Sequence, residues 1–304
     1  MASSDPAPRG TIYDLGYQGY DGPRLGRAYA VWSLYVLSVR NTFGFGRGLL
    51  PKVLALGLVL FAFVPAIVQL IIAAIVPIEE FEFVRPDEYY GFIQVIIILF
   101  VAALASDLVG NDRRNGVLAL YFSRPIERDD YAAAKLAALA TSLLAITVLP
   151  QAVMFAGNWL GAADGIDWAR DNASDVLPIL ASGVLICVLF ASIGVTVATF
   201  AERRAFAIIS ILALLTISFV VVGIVISIVD LEVARVAIFF SPWHVVRGFT
   251  LYLFDAPVAF ASQDGSPAEQ VAAVDLPGIL YVLAALVYTA GASALTFRRY
   301  RGAV

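Results

Sequence analysis

Phe206–Val229 reads FAIISILALLTISFVVVGIVISIV, twenty-four residues without a charge. A helix that crosses the hydrocarbon of a bilayer needs about 20 consecutive apolar residues. Its backbone N–H and C=O groups must pair within the segment, because lipid offers them no partner. A helix on the surface of a soluble domain keeps one polar face, and this run has none. It predicts a membrane span, and the rest of the chain agrees. Hydrophobic residues are 61% of the 304 and charged ones 14%, against about 45–50% and about 25% in soluble domains. Mean hydropathy is +0.85. Five further runs qualify as spans, at about 53–76, 91–109, 132–157, 176–200 and 277–297. The predicted fold is therefore an all-α integral membrane protein with six transmembrane helices. None of the runs is a signal peptide, since about fifty polar and mixed residues precede the first.

The remaining segments divide around those spans. Residues 1–23 form a polar tail, 24–52 an amphipathic helix and hinge, and 53–304 the six-span domain. Between Leu25 and Phe43 the apolar Trp32, Tyr35, Val36, Val39 and Phe43 recur at helical spacing, with Arg27, Ser38, Arg40 and Asn41 between them. This pattern fits a helix at the membrane interface, and a short seventh span broken by Arg40 is the alternative. The glycine-rich 44–48 reads as a flexible hinge into span one. Between spans five and six, the apolar runs 236–240 and 251–254 flank Ser241-Pro242-Trp243. Each is too short to cross. They are either short helices dipping into the outer leaflet or a folded external loop over the helix ends. Pro65 and Pro150 interrupt the hydrogen-bond ladders of spans one and three.

Charge sets the orientation. With both termini cytoplasmic, sixteen of the twenty basic residues fall on that side, including Arg113, Arg114, Arg124, Arg128 and Lys135. Only Arg85, Arg170, Arg235 and Arg247 fall outside, beside acidic residues such as Glu79, Glu80, Glu82, Asp87 and Glu88. The positive-inside bias selects this topology.

Several functions are excluded or disfavoured. Net charge is −4 and the pI about 5.0, which argues against nucleic acid as a partner. One Cys and one His permit neither a disulfide nor a zinc site of His and Cys ligands. Lys52 and Lys135 precede Val53 and Leu136, so no Gly-Lys-Ser/Thr phosphate loop exists here. The span centres are uncharged, whereas an ion-coupled carrier is expected to bury ionisable groups near the midplane. Ser241 and His244 are the one conceivable nucleophile–base pair, and no local carboxylate is placed to orient the base. No catalytic, metal or cofactor-binding residue is assigned.

The informative segment joins spans two and three. Asp107–Tyr131 reads DLVGNDRRNGVLALYFSRPIERDDY, and Lys135 follows. The cluster Asp112-Arg113-Arg114, then Gly116, an apolar stretch, Ser123-Arg124-Pro125 and Lys135 opening the next span resemble the type-2 ABC transporter permease family. Val117 and Asp112 depart from it, where Thr and Glu are common. The six spans, the amphipathic N-terminal helix and the long apolar loop before the last span extend the resemblance from about Arg24 to the end. Tyr13-Asp14-Leu15-Gly16-Tyr17 and Tyr20-Asp21-Gly22-Pro23-Arg24 are similar to the N-terminus of actinobacterial members.

The resemblance implies a multi-pass subunit in a bacterial cytoplasmic membrane, among membrane lipids, paired with a second copy or a homologous permease. Separate ATPase subunits would hold ATP and Mg. The coupling element would comprise Asn111, Asp112, Arg113, Arg114, Gly116, Ser123, Arg124, Pro125 and Arg128, within a short helix carrying exposed Arg and Asp. The uncharged bundle points to export of a hydrophobic or amphipathic substrate. A carrier or channel without an ATPase, or a membrane-embedded enzyme of lipid metabolism, are the rival readings.

Overall fold

The computed structural model describes residues 22, 25–46, 48–75, 84–123, 125–162, 164–255 and 267–302. Every regular element among the described residues is helical. The 1–23 tail (Gly22 apart), Arg24, Arg47, Glu79, Glu80, Glu82 and Arg124 lie outside the described residues.

In chain order, α1 (Gly26–Thr42) precedes α2 (Leu49–Ile75). The short α3 (Tyr89–Phe92) leads into α4 (Gln94–Arg114), and α5 (Leu118–Phe122) joins it to α6 (Arg128–Gly161). Next come α7 (Gly165–Asp171), α8 (Ala173–Phe200) and α9 (Arg204–Ile228). Then α10 (Leu231–Ala237), a 3-10 turn at Ile238–Phe240, α11 (Pro242–Leu253) and α12 (Pro267–Val274) precede α13 (Gly278–Gly302). Helices α2, α4, α6, α8, α9 and α13 are long and apolar enough to cross a membrane. Each outruns its predicted span at one end or both. Apolarity marks where lipid lies, but the backbone ladder continues until a stop signal ends it.

Helices α4, α6 and α8 form the interior. In α4 and α8, 56% of the most apolar window is buried, against 11% in α13. Close approach depends on small residues. At Gly194 on α8, a Cβ would lie 2.5 Å from Val101 Cγ1 and 3.2 Å from Ala105 Cβ on α4. Pro150 deprives the Ile146 carbonyl of its helical donor. The buried Tyr89 hydroxyl lies 2.9 Å from that carbonyl and 2.9 Å from the Ala62 carbonyl on α2. The proline gap in α6 is thus filled by a tyrosine that also joins α2 to α6.

Helix α1 runs along α6. Arg27 meets Asp130, and Tyr35 meets Thr141. These contacts are eight residues apart on α1 and eleven on α6, about 12 Å and about 16 Å of helix. Helices crossing at a right angle could not touch at both places. Helix α1 is not among the helices long and apolar enough to cross a membrane. At Gly44 (φ +73) the chain turns towards α2, and a Cβ there would sit 2.6 Å from the Lys52 nitrogen. Within the glycine-rich 44–48, Gly44 is the closely packed position; a Cβ at Gly46 or Gly48 would meet nothing within 4 Å among the described residues.

The segment before α13 is packed into the bundle. Trp243, Val245, Val246 and Phe249 of α11 are buried, against α8, α9 and α13. Ser241-Pro242 starts this helix rather than separating two apolar runs: Ser241 caps it, and Pro242 occupies the first turn, where its missing N–H costs nothing. Arg247 is held at 3.6 Å from the Asp87 carboxylate and donates to the Asp87 carbonyl at 2.5 Å.

Candidate functional site

The sequence-predicted site lies at the end of the bundle where α5 joins α4 to α6. Asn111, Asp112, Arg113 and Arg114 are not in a loop: they form the last turn of α4. The helix stops at Gly116 (φ +64). There Val117 N donates to Asp112 O at 3.1 Å and Gly116 N to Arg113 O at 3.3 Å. This is a Schellman end, whose left-handed position favours glycine. Gly116 therefore fixes the direction in which the chain leaves the span.

Asp112 is buried. Its Oδ2 lies 2.7 Å from Lys135 Nζ and accepts from the Tyr131 hydroxyl at 2.9 Å. The Lys135 side chain is 2% exposed, so each charge relies on the other. Tyr131, fully buried, is enclosed by rings: Tyr300 of α13 at 5.1 Å between centroids, Tyr121 at 5.9 Å and Phe122 at 6.0 Å. One side chain thus touches α4, α5 and α13 from α6.

The remaining residues are at the surface. Arg113 is exposed, with its guanidinium 3.4 and 3.5 Å from the Thr199 and Ala201 carbonyls, where α8 ends. A cation there complements the helix dipole. Arg114 is exposed and donates to Asn111 Oδ1 within its own helix. Ser123 closes α5 by donating to the Leu120 carbonyl at 2.9 Å. Pro125 is exposed. Arg128 donates to the Arg301 carbonyl at 2.8 Å and lies over the Phe122 ring. Arg301 in turn pairs with Asp129. Arg27 grips Glu127 and both oxygens of Asp130, and these carboxylates raise its pKa further above the ordinary arginine value.

The short helix differs from expectation in chemistry. Its sequence is LALYF, without a charge. The basic residues flank it from the end of α4. Its outward side is Ala119 and Leu120, with Leu120 66% exposed. Its inward side is Tyr121 and Phe122, against Tyr131. Sequence reasoning missed Leu120, Tyr131 and Tyr300. Leu120 could have been found as the apolar residue least served by a five-residue helix; Tyr300 carries no local signal.

The other candidate, Ser241 with His244, has no catalytic geometry. Ser241 Oγ accepts from the His244 backbone N–H at 3.4 Å. The imidazole faces away, with Nε2 2.7 Å from Gln270 Oε1 and the ring stacked on Phe219 at 5.2 Å. Burial pushes the His244 pKa down, and its Nδ1 is buried without a hydrogen-bond partner among the described residues. A neutral ring with its proton on Nε2 satisfies both facts. Among the described residues, no cluster of His, Cys, Asp or Glu is placed to hold a metal ion.

The family model described as ABC-2 family transporter protein matches residues 24–302. No curated relative matches the chain.

Proposed function

We propose, for a chain that belongs to the ABC-2 transporter family and is thus a membrane permease subunit of an ABC transporter, that α5 docks on a separate ATPase and that the bundle exports a hydrophobic or amphipathic substrate. The observation that carries the docking is the two-sided character of α5. Outward, Leu120 is exposed, and Arg113 and Arg114, also exposed, end the helix that leads into α5. Inward, Tyr121 and Phe122 bear on Tyr131, which holds Asp112. An exposed apolar residue on a short helix that follows two cations suits a cleft with an apolar floor and an acidic rim. A push on α5 would reach α4, α6 and α13 through one aromatic ring and one buried ion pair, as a rigid-body switch.

The other assignments follow from this reading. ATP and Mg sit on the ATPase, and this chain supplies no catalytic group. The α5 end and both termini face the cytoplasm, as the basic residues require, in a bacterial cytoplasmic membrane. Asp112 and Gly116 position the docking helix, and Arg113, Arg114 and Arg128 border it. A second permease, identical or homologous, covers part of the apolar surface that α2, α9 and α13 leave outward. The apolar substrate class rests on spans whose centres carry no charge.

The experiment is gentle purification of the tagged chain from native membranes, with mass spectrometry and an ATPase assay. A soluble subunit with a phosphate loop, in about one-to-one ratio, is expected. Reproducible isolation without an ATPase, under conditions that preserve a control complex, would overturn the reading. Stimulation of ATP hydrolysis by small hydrophilic ions alone would overturn the substrate class.

A further inference from the structure

A groove of about 810 Å³ lies between α1 and α6 on the outside of the bundle. Ligand sites commonly measure about 300–1,000 Å³. A cross-link closes each end. At one, Arg27 holds the two oxygens of Asp130 at 2.8 and 3.0 Å and reaches Glu127. At the other, the Tyr35 hydroxyl and Thr141 Oγ1 are 2.9 Å apart. Between them Ala133 and Ala137 form an exposed floor, and Val31 and the 60% exposed Trp32 form a wall. The floor offers only methyl groups, which leave the space above them open. From Asp130 to Thr141 it measures about 16 Å.

The groove carries the polarity gradient of one bilayer leaflet. Its ionic end lies beside Arg128, Asp129 and Arg301, where α6 begins and α13 ends. Its apolar length runs from there into span three. The ionic end sets three guanidiniums, Arg27, Arg128 and Arg301, against three carboxylates, Glu127, Asp129 and Asp130, so charges of both signs stand there in balance. A head that carries an ammonium as well as a phosphate complements that set, whereas a purely anionic head does not. Trp32 supplies an amphipathic ring of the kind enriched at headgroup level.

We infer that the groove binds one aminophospholipid of this leaflet. Its acyl chain lies on Ala133 and Ala137, and its phosphate and ammonium lie at Arg27, Glu127 and Asp130. The leaflet is the cytoplasmic one on the orientation proposed above; the binding itself is a property of this chain and requires no ATPase.

The test uses the full-length chain in vesicles containing phosphatidylethanolamine or phosphatidylglycerol with matched, photoactivatable acyl chains. Cross-linked peptides are then mapped by mass spectrometry. Phosphatidylethanolamine should label 26–37 and 128–141 about fivefold more than phosphatidylglycerol does, the scale of one surface charge contact. Ala137→Trp, which fills the floor, should reduce that labelling to the level of lipid-facing α9. Glu127→Gln removes one carboxylate from the Arg27 cluster and should bring the two lipids to equal labelling. Equal labelling by both lipids in the unaltered chain, or labelling unmoved by Ala137→Trp, would overturn the assignment. If Ala137→Trp does not fold, the loss of head selectivity in Glu127→Gln decides the question, and unchanged selectivity overturns it.

Discussion

Lys135 and Asp112 meet at 2.7 Å where α6 passes the end of α4, and the lysine side chain is 2% exposed. The Tyr131 hydroxyl shares the same carboxylate oxygen. Two charges are thus held at the base of the span bundle, directly behind the helix proposed to receive the ATPase. The aromatic cage around Tyr131 makes them part of a single packed unit with α5 and α13.

Lys135→Met should therefore be costly. Removing one member of a buried pair leaves an uncompensated charge and costs about 3–5 kcal/mol. Asp112→Asn combined with Lys135→Met leaves no unpaired charge, and Asn still accepts from Tyr131. The double variant should be more stable than Lys135→Met alone in detergent thermal melts. A double variant that melts lower than the single one would show that the pair contributes by means other than charge compensation.

Leu120→Asp should weaken ATPase retention about tenfold, the scale of a modest hot-spot residue, and leave the melting temperature unchanged. Arg114→Glu should act in the same direction, because among the described residues its side chain hydrogen-bonds within its own helix, to Asn111. Arg113→Glu is a less clean probe, since Arg113 also faces the last carbonyls of α8. Retention measured in a pull-down at fixed salt separates these cases. Full retention by both Leu120→Asp and Arg114→Glu would remove this face from the docking surface.

Two glycines with positive φ should differ in their response to alanine. At Gly116 nothing among the described residues lies within 4 Å of an added Cβ, so the cost is that of the left-handed backbone, about 1–2 kcal/mol. At Gly44 the same backbone cost is joined by contacts of 2.6 and 2.7 Å with Lys52 backbone atoms, which cannot swing aside. Gly44→Ala should melt lower than Gly116→Ala. The reverse order would mean that the turn between α1 and α2 adjusts more readily than its packing implies.

The spans were legible because lipid imposes a single rule on their composition, and the run at Phe206–Val229 obeys it without exception. Their ends were not. Asn111 through Arg114 are polar, and polarity reads as loop, yet the helix continues to Gly116 because no earlier residue stops it. Helix α11 was hidden for a related reason. His244, Arg247 and Thr250 break its apolar pattern, and they are tolerated only because Gln270, Asp87 and the Val246 carbonyl receive them. At the site, Gly116 and the arginines were visible as a motif. The burial of Asp112 was not, because its partners Tyr131 and Lys135 are set by helix packing. Tyr300 meets Tyr131 across most of the chain's length, and no spacing rule reaches that far.

His244 predicts an acid-sensitive attachment of α11. Burial holds its pKa below the usual histidine value, outweighing the opposing effect of its hydrogen bond to Gln270. An unfolded histidine titrates at about 6.5. As pH falls below that value, the unfolded chain takes up the proton first, so stability falls with pH; above it the full contribution is present. His244→Phe keeps a ring against Phe219 and removes the titration. Its melting temperature should change less than that of the unaltered chain between about pH 7 and about pH 5. Equal slopes would assign the acid sensitivity to other groups and leave His244 a stacking residue only.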